Sequence, residues 1–258
     1  MSGASPSLTG MAGRRAAFFL GFVPVGRVAD RIRELERMLV SATGRPEFVA
    51  GLVEVDQGWW GLVKRAFDVV FSVVVLVVFA PVWLVIVSAI KADDGGPVFF
   101  RQLRVGLDGR PFVLVKFRTM RMDAEACQAK LIAERGCSAV FFKVRGDSRV
   151  TRVGRVLRRF SLDEIPQFWN VLRGDMSVVG PRPQVAAEVA EYAPEHFRRL
   201  SVRPGITGLW QVSGRYLLSV EESLLLDLDY VDAFGPLIDA RVLVRTVPAM
   251  VSARGETW

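Results

Sequence analysis

The chain has one histidine, His196, and two cysteines, Cys127 and Cys137, in 258 residues. A single histidine excludes any mechanism built on a histidine pair and any histidine-rich metal cage. Two cysteines separated by nine residues form neither a zinc pattern nor a disulfide framework, and they suit a reducing compartment. Neither a Walker A motif nor a dinucleotide fingerprint is present, and no internal repeat is visible. Nucleophiles and general bases must therefore be carboxylates, serines or lysines. Positive charge is in excess: 34 Lys and Arg against 27 Asp and Glu give a net charge of +7 and a pI of about 10.0. That balance favours anionic partners, whether phosphate-bearing small molecules, anionic lipid heads or nucleic acid. Apolar residues make up 51% of the chain, enough for one domain with a sizeable core and appendages.

Residues 1–60 read as an N-terminal extension. Residues 1–15 have the composition of a disordered segment. Arg14 and Arg15 followed by "AAFFLGFVPVG" (16–26) have the layout of a secretory signal, but no small-x-small cleavage site follows. Shallow membrane contact or local packing is the better reading. "RVADRIRELERMLV" (27–40) places Val28, Ile32, Leu35 and Leu39 on one stripe of an amphipathic helix. A glycine-bearing connector then leads to Trp59 and Trp60, candidate interfacial aromatics. Residues 69–90, "VVFSVVVLVVFAPVWLVIVSAI", contain no charge, and their length as a helix is about 30 Å, one hydrocarbon thickness. Two features argue against a simple span. Pro81 near the middle removes a backbone hydrogen bond, and basic residues flank both ends: Lys64 and Arg65 before, Lys91, Arg101 and Arg104 after. From these residues alone, a spanning helix and a re-entrant one bent at Pro81 both stay open. "VFFRQLRVG" and "PFVLVKFRTM" read as a hairpin turned at Asp108-Gly109. A polar helix is expected over 121–136. A basic helix is expected over 150–160, with Val150, Val153, Val156, Leu157 and Phe160 on one face and Arg152, Arg155, Arg158 and Arg159 on the other. Two more helices fill 219–253, the first opened by Ser219 and Glu222. The fold class is α-rich α+β.

Three stretches can carry chemistry. In "RRFSLDEIPQFWN" (158–170), Ser161 and Glu164 fit a capping box, and Asp163 suits a first helical turn. Local evidence alone favours that structural reading. The alternative is that Asp163 is a nucleophile toward phosphorus, with Arg158 and its neighbours supplying positive charge. In "GDMSVVGPRP" (174–183), two prolines pin Arg182, which can grip a phosphate bidentately or pair with a carboxylate such as Asp175. In "RPGITGLWQVSGR" (203–215), Gly205, Gly208 and Gly214 permit tight turns and close approach of a ligand, and Arg203 and Arg215 are further candidate ligand contacts. Trp210 reads as core. In "KFRTM" (116–120), Lys116 and Arg118 are candidate phosphate contacts, read as lying on opposite faces of a strand, so that at most one is expected to face a given site.

Taken together, "KRAFDVV" (64–70), the apolar segment with Pro81, "GPVFFRQLRVGLDGRPFVLVKFRTM" (96–120), "RVTRVGRVLRRFSLDEIPQFWNVLRGDMSVVGPRP" (149–183), "VRPGITGLWQVSGR" (202–215) and "LDLDYV" (226–231) resemble the bacterial sugar transferases, the monotopic phosphoglycosyl transferases. The resemblance covers about residues 62–255 and is nearest to the branch that initiates exopolysaccharide synthesis. It implies a re-entrant membrane helix over 61–92, bent at Pro81, and a cytoplasmic catalytic domain over 93–255 at the inner membrane. The family has a serine before the proline, where this chain has Ala80. The resemblance also implies that Asp163 is the nucleophile, that Glu164 supports a magnesium ion, and that Arg158 and Arg182 contact substrate phosphate. The implied substrates are a UDP-sugar, with a hexose expected, and a polyprenyl phosphate. A homodimer is open, nucleic acid is not expected, and residues 1–60 suggest a short form of the family. The rival reading is an inactive membrane-anchored scaffold of a polysaccharide assembly complex, although the carboxylate pair and Arg182 are intact.

Overall fold

The computed structural model describes residues 58–124, 127, 147–214 and 218–252. The readings of 1–57, most of the helix expected over 121–136, and Arg215 fall outside those residues.

The apolar segment is two helices, α1 (Gly58–Val78) and α2 (Ala80–Asp94), bent by 60° at Phe79. No single described helix is long and apolar enough to cross a membrane. Pro81 sits in the first turn of α2, where its missing N–H breaks no bond within that helix. The bend therefore forms with alanine, not serine, before the proline. Gly95, at φ 70°, closes α2 in the left-handed conformation, and its N–H donates to the Lys91 carbonyl.

The amphipathicity of α1 is inverted. Lys64, Asp68 and Ser72 recur every fourth residue, so they share one stripe, and all three are buried. Lys64 pairs with Asp239 at 2.6 Å. Asp68 accepts hydrogen bonds from the Ser177 hydroxyl and the Val178 N–H. Leu62, Val63, Val70, Val73, Val74, Val77 and Val78 are exposed instead.

Strands β1 (Phe99–Val105) and β2 (Pro111–Phe117) form the expected antiparallel hairpin, with Asp108 at φ 54° in its turn. Phe112 and Leu114 point from β2 into the main core, alongside Val171, Met176, Val179, Tyr230 and Val242. Helix α3 (Arg152–Arg159) follows, capped by the Thr151 hydroxyl. Its apolar residues do not all share a face. Val153 and Leu157 pack with Ile86, Ile90 and Phe117, whereas Val156 and Phe160 are exposed. A helix this short turns only a narrow strip toward α2.

Helix α4 (Gln167–Arg173) lies along β2. Asn170, fully buried, donates to the Val113 carbonyl at 2.7 Å and accepts from the Val115 N–H at 3.1 Å. Its amide serves the free edge of β2 as a third strand would. Arg65 of α1 caps the other end of α4, donating to the Val171 and Leu172 carbonyls. Strands β3 (Ser177–Val179) and β4 (Gly205–Thr207) form a short parallel pair, with helix α5 (Ala186–Val189) and a 3-10 segment (Pro194–Ser201) between them. Helices α6 (Leu209–Ser213), α7 (Val220–Asp232) and α8 (Pro236–Ser252) complete the described chain. The Ser219–Glu222 capping box opens α7 as expected. His196 is buried against Tyr192 and serves packing.

Candidate active site

Asp163 and Glu164 lie in a 3-10 turn (Leu162–Glu164) between α3 and α4. The capping box expected of Ser161 does not form. Ser161 adopts φ 53°, a conformation few non-glycine residues accept, and no cap bond comes from its side chain. Its backbone carbonyl takes the Glu164 N–H instead, at 3.3 Å. Pro166 then delays the helix to Gln167. The turn thus presents its carboxylates rather than spending them on capping. Asp163 is 8% exposed, a depth rarely given to an acidic side chain without cationic neighbours.

Those neighbours come from three directions. Lys116, at the end of β2, shares a face with Phe112 and Leu114 by the two-residue period of a strand. Burial pushes its pKa down to about 8; the Asp163 carboxylate acts against that, and Arg158, Arg104 and Arg182 act with it. Arg158 leaves α3 toward the site, where its Nε donates to the Thr119 hydroxyl at 2.9 Å. It does not join Arg152, Arg155 and Arg159 on the exposed face. Arg182 approaches from the loop after β3, with Nη1 3.6 Å from Glu164 Oε1. Both partners of that pair are partly exposed, and such a long contact is worth less than about 1 kcal/mol. It can open for a phosphate at little cost. Asp175, the other carboxylate considered for Arg182, is taken by Asn170 and Arg173.

Arg104 is a member that sequence reasoning did not place in the site. It donates to the Pro183 carbonyl at 3.0 Å. Burial lowers its pKa to about 10, partly opposed by Glu188 and reinforced by Arg182. The arginine is legible in β1, but the loop it meets lies 79 residues away.

Two other candidates are engaged elsewhere. Arg118 is two residues past Lys116, so a continuing strand would put both on one face, not on opposite faces as expected. The strand ends at Phe117, and Arg118 turns to an ion pair with Asp94 at the end of α2. Arg203 donates to the Gly174 carbonyl at the far end of α4. Of the glycines in 203–215, Gly205 and Gly208 make close approaches to backbone, and Gly214 packs against the Leu218 side chain. A Cβ on Gly205 would lie 2.1 Å from the Gly180 nitrogen, and one on Gly208 would lie 2.4 Å from the Gly180 oxygen.

Among the described residues, no three His, Cys, Asp or Glu side chains gather as a metal cage. Two adjacent carboxylates, one partly exposed, suit an ion that draws the rest of its shell from water and phosphate, as magnesium does. The arrangement is that of a buried carboxylate among cations, a setting suited to an anionic ligand.

The family model described as bacterial sugar transferase matches residues 59–253. The chain is 39% identical over 239 residues to the UDP-glucose:undecaprenyl-phosphate glucose-1-phosphate transferase of Caulobacter vibrioides, covering 88% of this chain and 82% of that protein. It is 40% identical over 199 residues to the exopolysaccharide production protein ExoY of Rhizobium meliloti, covering 76% of this chain and 88% of ExoY. Galactosyl transferase CpsE of Streptococcus agalactiae is 39% identical over 195 residues, and this chain spans 43% of its length. With the motif series, the site and the family match all falling within residues 59–253, the chain belongs to the bacterial sugar transferase family.

Proposed function

We propose that the protein transfers a sugar 1-phosphate from a UDP-sugar to a polyprenyl phosphate, releasing UMP, as the first membrane step of exopolysaccharide or related glycan synthesis. The observation that carries this reading is Asp163: a buried carboxylate beside Lys116 and Arg158, with Glu164 and Arg182 at its rim. The names of the Caulobacter relative and of the undecaprenyl-phosphate galactose phosphotransferase of Salmonella typhimurium point to the same class of substrates.

In the first step, an Asp163 oxygen attacks the sugar-proximal phosphorus. The bond from that phosphorus to the bridging oxygen breaks, and UMP leaves with the oxygen. The sugar phosphate stays on Asp163 as an acyl phosphate. In the second step, an oxygen of polyprenyl phosphate attacks the same phosphorus, and Asp163 leaves as a carboxylate. A carboxylate meeting a phosphate anion is repelled, so catalysis rests on charge neutralisation and in-line positioning. Lys116, Arg158 and Arg182 supply the protein's share. Glu164 would hold magnesium, which when bound would neutralise charge on the diphosphate.

The bent helix pair supports a membrane location for this chemistry. Exposed valines opposite a buried polar stripe suit α1 to lipid on its outer side and protein on its inner side. Both ends of the pair are tied to the same body, α1 through Lys64–Asp239 and α2 through Asp94–Arg118. This supports a monotopic arrangement with both ends on the cytoplasmic face.

The test is intact mass of detergent-purified protein with magnesium and a panel of UDP-sugars, without acceptor. A hexose-phosphate adduct is expected. It should be absent in Asp163→Asn and discharged by polyprenyl phosphate. UMP release that requires the acceptor, with no adduct, replaces the covalent route by direct transfer. Neither adduct nor UMP with any donor puts the scaffold role in front.

A further inference from the structure

The loop that carries Arg182, Pro181–Gln184, has all four of its carbonyls bonded. Pro181 O accepts from the Gly205 N–H at 2.8 Å, and Gln184 O accepts from the Val105 N–H at 2.9 Å. Pro183 O accepts from Arg104 Nη1 at 3.0 Å, and Arg182 O accepts from Arg199 Nη2 at 2.9 Å. Two prolines in four residues leave the loop short of N–H donors, so it is held by what others donate to it. Two of those donors are guanidinium groups.

Arg199 has no part in the chemistry proposed above. It lies in the 3-10 segment before β4 and is 3% exposed. Its Nη2 also donates to the carboxylate of Asp227, itself 1% exposed on α7, and its Nη1 donates to the Tyr192 hydroxyl. That hydroxyl donates in turn to the side-chain carbonyl of Gln184. The guanidinium therefore reaches the loop twice, directly at Arg182 and through Tyr192 at Gln184. Burial alone would lower the pKa of Arg199, but Tyr192 and Asp227 together hold it above its ordinary value. A buried ion pair is weak evidence for stability, since apolar residues of equal volume serve stability as well or better. Its retention here calls for a geometric task, and the carbonyl of Arg182 is the group it meets.

We propose that Arg199, oriented by Asp227 and Tyr192, is a positioning residue that aims Arg182 at the donor's phosphates. The proposal rests on the reading of Arg182 as a phosphate contact. Its planar fork spans three acceptors at once. Lysine, a point donor on a flexible stem, cannot.

The test is a double-mutant cycle on KM and kcat for the UDP-sugar, using Arg199→Lys, Arg182→Met and the pair in the full chain. Arg199→Lys should raise KM about tenfold, the worth of one charge-assisted hydrogen bond, with a smaller change in kcat. In the Arg182→Met background the same change should cost less than about twofold, because its route of action is gone. Val242→Ala, a core variant away from this network, serves as the thermal control: it should lower the melting temperature and leave KM unchanged. If Arg199→Lys fails to fold, Tyr192→Phe removes the hydroxyl through which Arg199 Nη1 reaches Gln184 and leaves the direct bond to the Arg182 carbonyl. It should raise KM about two- to threefold, again only when Arg182 is present. Additive effects of Arg199 and Arg182 overturn the positioning role while leaving Arg182 a phosphate contact. An unchanged KM in Arg182→Met alone overturns both.

Discussion

Lys116 is half-buried among arginines, with Asp163 as the opposite charge beside it, and burial brings its titration down to about pH 8. Only its charged form attracts a phosphate. Values of kcat/KM for the UDP-sugar should therefore fall as pH rises through about 8, and Lys116→Arg should remove that limb because a guanidinium stays charged. Stability moves the other way. Between about 8 and the ordinary lysine value of 10.5, the unfolded chain holds a proton that the folded chain has released. Unfolding free energy should thus rise with pH across that window, and the rise should vanish in Lys116→Met. A thermal-shift series in detergent reads the second effect and steady-state kinetics the first. A flat kinetic profile would remove Lys116 from the site. At this scale the sequence was only partly legible. Asp163 and Glu164 stand out as a pair, but a single residue, Phe117, decides between Lys116 and Arg118. Where β2 ends cannot be read from an alternation that continues past it.

Helix α3 matters through its contact with the end of the hairpin. Gly154 packs against the Thr119 backbone so closely that an added Cβ would lie 2.0 Å from the Thr119 oxygen. Thr119 is also the partner of Arg158. Gly154→Ala must push α3 off the strand end and carry Arg158 with it. The expected result is a loss of kcat/KM of tenfold or more with a lower melting temperature, since overpacking of this kind costs about 1–3 kcal/mol. Arg155→Ala, one residue on and exposed, should leave both nearly unchanged. If Gly154→Ala kept full activity, the α3–Thr119 contact would not set the position of Arg158. The longer elements were legible because their patterns are long: the hairpin has its Asp-Gly turn, and α7 has Ser219 with Glu222. The β3–β4 pair was not. Three residues per strand show no period, and its glycines looked like ligand contacts because backbone and ligand make the same demand for missing side chains. Nor does anything in the sequence mark Asn170, which closes the edge of β2 from 55 residues away.

For the molecule as a whole, the inverted surface of α1 sets the frame. Ten exposed large apolar residues on one helix would form a costly patch in water, yet the buried side holds a lysine, an aspartate and a serine. Sequence composition marked the segment as apolar, but only the fold assigns which side is which. A helix that crossed the bilayer would leave its two flanks in different compartments. Here both flanks are bound to one catalytic body, by Lys64–Asp239 near the start and Asp94–Arg118 at the end. With the pair in a bilayer, as proposed, these ties predict entry and exit on the same side. Single-cysteine reporters can decide this in a chain whose Cys127 and Cys137 are replaced by serine. Gly58→Cys and Asp93→Cys lie at the two ends, and Phe79→Cys lies at the bend. An impermeant maleimide should label both end reporters in inverted membrane vesicles and neither in intact cells. The Phe79→Cys reporter should stay unlabelled in both until detergent is added. Labelling of the two ends from opposite sides would make the pair a broken span. The ties to Asp239 and Arg118 could not then both persist in the membrane, and the site, whose Lys116 lies two residues from Arg118, would have to be rebuilt around that fact.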